Sequence, residues 1–571
     1  MIELNHDCLW QIFTNLEQDK NSLHAAVLVN HTWCKVAIQF LWKKPFRFLY
    51  TCQKACKCLT EGRHKKAKNL LTTFITCIAQ NQASSAINMQ DFVIWTNAPR
   101  TAFDYSRFLR HIDLHDLFLA LMDGVKYLIS HKHLDYVIAF QHITKFLAPD
   151  DNWESAVIQE MARDICKLLV SHCSNLKCLS IDMANKQWSK ENHRCSSLPN
   201  ISFWITVKEI PEELLLIPTY PGATKSLSQL VEFYWGATHW TSEFLIALSK
   251  VSKRLRTLII DMSNFGRNES NDHARNLGTL IKVQTALQEI QFIKCKPRVL
   301  PSIMQGLRTQ AKSLRYFHFQ GMVKDWSVFS ELVHLTNIQE LSFVKANFRC
   351  SEIEMLASSN FPNLTKLVFD TTSFRFPIII PEIIIQSSGN KIRTFSLPAY
   401  FYPSYNGFVP TVSLSVAKYC PNLVHFEYHV TRKEFSQLVV LFDSCQHLKK
   451  VMLAGNPEDA NELFLQLANL ELPNLREFEI TAQWSYTATS LETFFTRSKA
   501  PLRNLVIRSS PCFSDDHLKV VLRCLGDKLR RLYVESAQEM TKLMLSKANE
   551  TITDFVYKMI DEVYNPGWLL E

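Results

Sequence analysis

The stretch PNLREFEITA, residues 473–482, sets the reading of this chain. Leu475, Phe478 and Ile480 follow the order apolar, two residues, apolar, one residue, apolar. The last two alternate as a β-strand requires, so both side chains point to one face. Downstream the pattern recurs as Leu502-Leu505-Ile507, Leu529-Leu532-Val534 and Ile552-Phe555-Tyr557. Upstream it runs through Leu255-Leu258-Ile260, Leu287-Ile290-Phe292, Leu314-Phe317-Phe319, Ile338-Leu341-Phe343 and Leu364-Leu367-Phe369. Ile392-Phe395-Leu397, Leu423-Phe426-Tyr428 and Leu448-Val451-Leu453 complete the series, with successive starts 23 to 32 residues apart. Before it, Leu176-Leu179-Ile181 fits well and Leu109-Ile112-Leu114 is a candidate earlier member. Ile201-Trp204-Thr206 and Leu230-Phe233-Trp235 fit poorly. Between the strands the apolar spacing turns helical, as in Phe244, Leu245, Leu248 and Val251. Several turns place Pro-Asn just before the strand: Pro362-Asn363, Pro421-Asn422 and Pro473-Asn474. One strand and one helix of this length cannot bury a core alone, whereas stacked copies can.

In its longer strand-plus-helix form the pattern resembles the leucine-rich repeat family, most clearly over residues 176–557. The resemblance implies an α/β fold, a leucine-rich repeat solenoid with a curved parallel sheet and helices on the convex side. Two departures stand out: aromatic residues replace many leucines, and the Asn or Cys expected after the strand is often missing. Cys295 and Asn456 do occupy that slot. The concave face of such a solenoid binds macromolecules, and the residues flanking the inward positions should line it. Tyr316, His318 and Gln320 belong to this face, as do His425, Glu427 and His429. Glu477, Glu479, Arg508, Arg531 and Tyr533 extend it. Tyr316 with His318, and His425 with His429, are the first candidates for contact. Aromatic anchors among polar groups of both signs suit a protein partner.

The N-terminus has a different period. Leu9, Ile12, Phe13 and Leu16 form one helical stripe that Asn5 is placed to cap. Asp19 to Ser22 is a polar break, with Ser22 placed to cap a second helix containing Ala25, Ala26, Val27 and Leu28. Trp33, Val36, Ala37, Phe40 and Leu41 make a third stripe, closed by Trp42 and Pro45. Leu4, Asp7, Leu9, Ile12-Phe13, Leu16, Asp19, Leu23, Val27, Val29-Asn30, Trp33 and Leu41-Trp42 together resemble an F-box. One departure is Asn5, where that family commonly has Pro. The resemblance implies docking on the Skp-type adaptor of a cullin–RING ubiquitin ligase through Leu4, Cys8, Leu9, Ile12, Phe13, Leu16, Val27 and Trp33. An F-box ahead of leucine-rich repeats is similar to the divergent fungal F-box/leucine-rich repeat proteins. That pairing implies a non-catalytic receptor holding a protein substrate whose identity the sequence does not carry. The competing reading is a repeat scaffold acting outside ubiquitination, its helices merely capping the first repeat. The expected layout is an F-box over 1–46, a basic helical connection over 47–105 and the solenoid over 106–571.

Composition narrows the alternatives. The net charge is +9. Lys54, Lys57, Arg63, Lys65, Lys66 and Lys68 against Glu61, six cations less one acid, supply +5 of it. This segment reads as a solvated helix face, and the remainder is near balance, so nucleic acid is not the expected partner. The longest apolar run, Phe376 to Ile385, is broken by Pro377, Pro381 and Glu382 and cannot span a bilayer. The opening residues lack a secretory pattern. The 16 cysteines are therefore expected as reduced thiols of a cytoplasmic or nuclear protein. There is no phosphate-cradling Gly-rich loop, no His-Glu-x-x-His helix and no Cys-x-x-Cys pair. Cys52, Cys56 and Cys58 lack a second cluster at structural-zinc spacing, and His131 with His133 lack a third ligand. No catalytic residue, metal or cofactor is expected.

Overall fold

The computed structural model describes residues 4–50, 61–80, 101–130, 153–182, 210–236, 242–262, 271–296, 299–322, 326–347, 360–370, 379–398 and 412–560. The chain divides into two compact units, Met1–Lys294 and Cys295–Glu571.

The first unit opens with three helices, α1 (His6–Asn15), α2 (Lys20–Val27) and α3 (His31–Lys43). Each starts at a side chain that accepts an otherwise orphaned first-turn amide. Asn5 accepts the Cys8 N–H at 2.8 Å, as its position suggested. Asn30 accepts that of Trp33 at 2.9 Å. Asp19, not Ser22, caps α2: its carboxylate takes the N–H groups of Asn21 and Ser22 at 3.0 and 3.1 Å. Ser22 lies inside the first turn and donates its hydroxyl to Asp19 at 2.6 Å. Leu9, Phe13, Leu23, Ala26, Val36, Ala37 and Phe40 form the bundle's core. Phe13 is its hub, edge-on to Trp33 at 5.5 Å and to Phe40 at 6.1 Å.

Helices α4 (Arg47–Tyr50), α5 (Glu61–Gln80), α6 (Leu114–Ser130) and α7 (Trp153–His172) follow. The basic segment is only partly a solvated face. Lys65 and Lys66 on α5 are exposed, but Arg63 turns inward to Asp123 of α6, 2.7 Å away. Lys54 and Lys57 lie outside the described residues. Five parallel strands pair in chain order: β1 (His111–Asp113), β2 (Cys178–Asp182), β3 (Glu232–Gly236), β4 (Thr257–Asp261) and β5 (Glu289–Cys295).

The second unit repeats the theme with ten strands. These are β6 (Tyr316–Met322), β7 (Glu340–Asn347), β8 (Lys366–Asp370), β9 (Thr394–Leu397) and β10 (His425–Val430). They continue as β11 (Lys450–Gly455), β12 (Glu477–Ala482), β13 (Asn504–Ser510), β14 (Arg531–Ser536) and β15 (Asp554–Met559). All pair in parallel with their sequence neighbours, and the run stays open. Helices such as Asn461–Leu467, Ala488–Arg497 and Asp515–Leu525 connect them. The fold is an α/β leucine-rich repeat solenoid, as the period implied.

Every triplet residue from Leu255 to Val534 is at most 4% exposed. Leu109, Ile112, Leu114, Leu230, Phe233 and Trp235 are equally buried. The triplet ending in Trp235 therefore fits the repeat, because a large ring can fill the space of a leucine. Ile201-Trp204-Thr206 lies outside the described residues. Aromatic substitutions stack between strands, with Phe343 5.9 Å from Phe317 and 5.5 Å from Phe369. Where an Asn precedes the triplet it can link repeats. Asn337, Asn422 and Asn474 each donate a side-chain N–H to a carbonyl of the preceding repeat's turn, that of Lys312, Asn390 or Gln446, all at 3.0 Å. Gly455 permits one close approach: a Cβ there would sit 2.7 Å from the Trp484 indole nitrogen and 2.8 Å from the Val430 carbonyl.

Candidate interaction surfaces

The bundle divides the expected adaptor contacts into three groups. Leu9 and Phe13 are fully buried. In this structure they belong to the bundle's core and present no surface. Leu16, Val27 and Trp33 pack partly against the same core. Leu4 and Ile12, each 40% exposed, and the exposed Cys8 are the members that face outward. Leu28 at 74% and Val29 at 57% are more exposed than any of these, and the sequence reading did not select them as contacts. Their signal is an apolar pair in the turn before the Asn30 cap, where a polar pair would be ordinary. Eleven large apolar side chains are exposed among the described residues, and five of them, Leu4, Trp10, Ile12, Leu28 and Val29, fall within residues 4–29.

On the second unit the strand register lays the helix-free face out in rows. The first row carries Tyr316, Glu340, Lys366, Thr394, His425, Lys450, Glu477, Asn504, Arg531 and Asp554. Opposite charges meet across strands: Lys366 with Glu340 at 3.1 Å, Lys450 with Glu477 at 3.6 Å and Arg531 with Asp554 at 3.4 Å. His318, Glu427, Glu479 and Tyr533 stand in the next row, and Gln320 lies two residues further along β6. Ser396 donates to Glu427 at 2.6 Å. Burial raises the Glu427 carboxyl above the usual range, and Asp370 and Glu479 push it the same way. In β13 the register shifts between Ile507 and Ser510, and Ser509 has φ 54°. Such bulges re-aim side chains. Arg508, within the shift, bonds Glu479 at 2.8 Å and approaches Glu535 at 3.8 Å. Its guanidinium lies 4.7 Å from the ring centre of Tyr533, whose hydroxyl donates to Glu535.

Two expected face residues are covered. His429 is 1% exposed, because the last three residues of β10 are all buried and the alternation stops there. Burial holds its imidazole down at about 4. Tyr533 is 8% exposed, beneath Arg508 and Lys558. The sequence reading also passed over a basic column. Lys449, Arg476, Arg503 and Arg530 each precede a strand and are exposed. Each accepts, at its carbonyl, the amides that open the next strand, which brings the four to successive strands at a pitch of roughly 4.8 Å. The signal was present: in these four consecutive triplets the residue after the first leucine is Arg or Lys.

Asp113, His115 and Asp116 bring ligand-type atoms within 4.8 Å of one another. Asp113 already accepts the Asp116 N–H at 2.9 Å, as at a helix start, and the hydroxyl of Ser180 on β2 at 2.5 Å. Cys52, Cys56, Cys58, His131 and His133 lie outside the described residues. Among the described residues no helix is long and apolar enough to cross a membrane.

No family model matches the chain, and no curated protein does. Solved structures are similar at low identity. One is the crystal structure of the Rad7 and Elc1 complex in yeast, with TM-score 0.38 and 10% identity over 79% of this chain and 95% of that one. Another is the Toll–Spatzle complex of Drosophila, with TM-score 0.30 and 12% identity over 58% and 51% of the two chains.

Proposed function

We propose that this chain is a non-catalytic substrate-recognition subunit of a Skp-cullin-F-box ubiquitin ligase. The three-helix bundle is the F-box and docks on the Skp-type adaptor. The helix-free strand face holds a protein substrate near the transfer machinery, so the chain contributes proximity and no chemistry of its own. The observation that carries this reading is the set of large apolar side chains, Leu4, Ile12, Leu28 and Val29, left exposed on a bundle that already has a buried core. Apolar area left over after folding favours a protein partner. Asn5 supports the same assignment: with φ −69° it keeps the backbone a proline would impose and adds a cap.

Co-purification with a Skp-type adaptor tests the proposal. Wild type is expected to bind, and Ile12→Glu with Leu28→Glu to lose binding at least a hundredfold while the melting temperature holds. Failure of wild type to bind at micromolar concentration would leave the chain a repeat scaffold outside ubiquitination.

A further inference from the structure

The bundle and the first strands of the same unit enclose a cavity of about 540 Å³. Among the described residues, Lys43, Lys44, Arg47, Arg110 and Lys177 line it against Glu17 and Glu232, an excess of three positive charges. Glu17 is already shared between Lys43 at 3.1 Å and Lys44 at 2.8 Å. Arg110 is half-buried, and its guanidinium donates to the carbonyls of Arg107 and Leu109, at 2.5 and 3.1 Å, with no carboxylate partner among the described residues. Lys177 is exposed and likewise outside any ion pair among the described residues.

These cations cannot easily spread apart. The Lys43 carbonyl accepts the Arg110 N–H at 3.0 Å, and the Arg110 carbonyl accepts the Lys177 N–H at 2.8 Å. Three charged positions are thus laced together by backbone. Their field is felt locally: burial, then Lys44, Arg47 and Lys43, hold the His111 imidazole down at about 4, so it joins the wall neutral. Trp10 completes the lining, 42% exposed and packed on Phe40 at 4.7 Å between ring centres.

We propose that this cavity binds a phosphorylated small molecule of nucleotide size, its phosphates on Lys43, Arg110 and Lys177 and its flat ring on Trp10. The volume lies in the range of small-ligand sites. Arg110 and Lys177, in no ion pair among the described residues and backed by Lys43, favour a compact polyanion, and guanidinium suits phosphate in particular. An exposed indole is a stacking platform for a base. Trp10 sits roughly 160° around α1 from both Cys8 and Ile12. Ligand binding and docking on the exposed apolar edge therefore use opposite sides of the helix, and this inference stands apart from the ubiquitin-ligase reading.

The test is calorimetric titration of the full chain with ATP in magnesium-free buffer. Saturable binding at one site is expected, with tripolyphosphate weaker by about tenfold because it lacks a ring to stack. Lys177→Gln, at an exposed position, should weaken ATP several-fold, and Arg110→Gln with Lys177→Gln at least tenfold, with unliganded melting unchanged. Trp10→Leu should bring ATP and tripolyphosphate to similar affinity. The proposal is overturned by absence of saturable binding up to about 1 mM ATP, by wild-type affinity in Lys177→Gln, or by equal binding of tripolyphosphate to the wild-type chain.

Discussion

The bundle and the repeat face spend their surfaces differently. On the bundle, Leu4, Ile12, Leu28 and Val29 stay in water although a complete core lies beneath them. On β6 to β15 the outward positions are mostly polar, and their charges cancel across strands in pairs such as Lys450 with Glu477 and Arg508 with Glu479. Apolar area in water is a standing gain for any partner that covers it. A row of satisfied ion pairs offers little net energy, but it punishes a partner with the wrong charge pattern. Under the proposed function, the bundle would supply affinity for the adaptor and the strand face discrimination among substrates.

Four measurements bear on that contrast. Phe13→Ala should act most strongly, removing about 3–5 kcal/mol from the bundle. Amide protection across α1 to α3 should vanish while that of β6 to β15 persists. Protection surviving in α1 would mean that Phe13 is not its hub.

Acid should act on the repeats through His429. The fold favours the neutral imidazole, so the unfolded chain takes up the proton first. The contribution is whole above about pH 6.5 and is lost as pH falls toward 4. On the order of 3 kcal/mol is at stake. Urea midpoints of wild type and His429→Phe across this window should show the slope shrink in the variant; parallel slopes would contradict the assignment.

Asn5→Ala should cost about 1 kcal/mol through the lost cap. Asn5→Pro should cost no more, since φ −69° already suits proline. Circular dichroism melts of the two variants decide this, and a much larger loss for proline would mean that the Asn5 N–H carries a bond of its own. Smallest should be Arg508→Ala. Its pairs with Glu479 and Glu535 are partly in water, so less than about 1 kcal/mol is expected. A larger loss would make the Arg508–Tyr533 contact a structural anchor and take it out of the recognition surface.

The strands were legible because burial demands period two over a short run, and that demand is written residue by residue in triplets such as Leu475-Phe478-Ile480. The triplet ending in Trp235 reads poorly only when leucine is expected, since volume and not residue type fills the layer. Outward positions were less legible. Alternation places His429 and Tyr533 on the surface, yet a strand end and a neighbouring guanidinium cover them. Leu9 and Phe13 carry the same helical spacing whether they face a core or a partner, and only the packing of α1 on α3 shows which.

Neighbours within a few residues fix the repeat and the three N-terminal helices, with Asn5 as the cap of the first, so these are written in the sequence. Tertiary structure alone decided which apolar residues of the bundle stay in water and which charges cancel. It also brought Lys43, Arg110 and Lys177 to one wall. Those properties depend on groups far apart in the chain meeting across a few ångströms, and no local pattern encodes that distance.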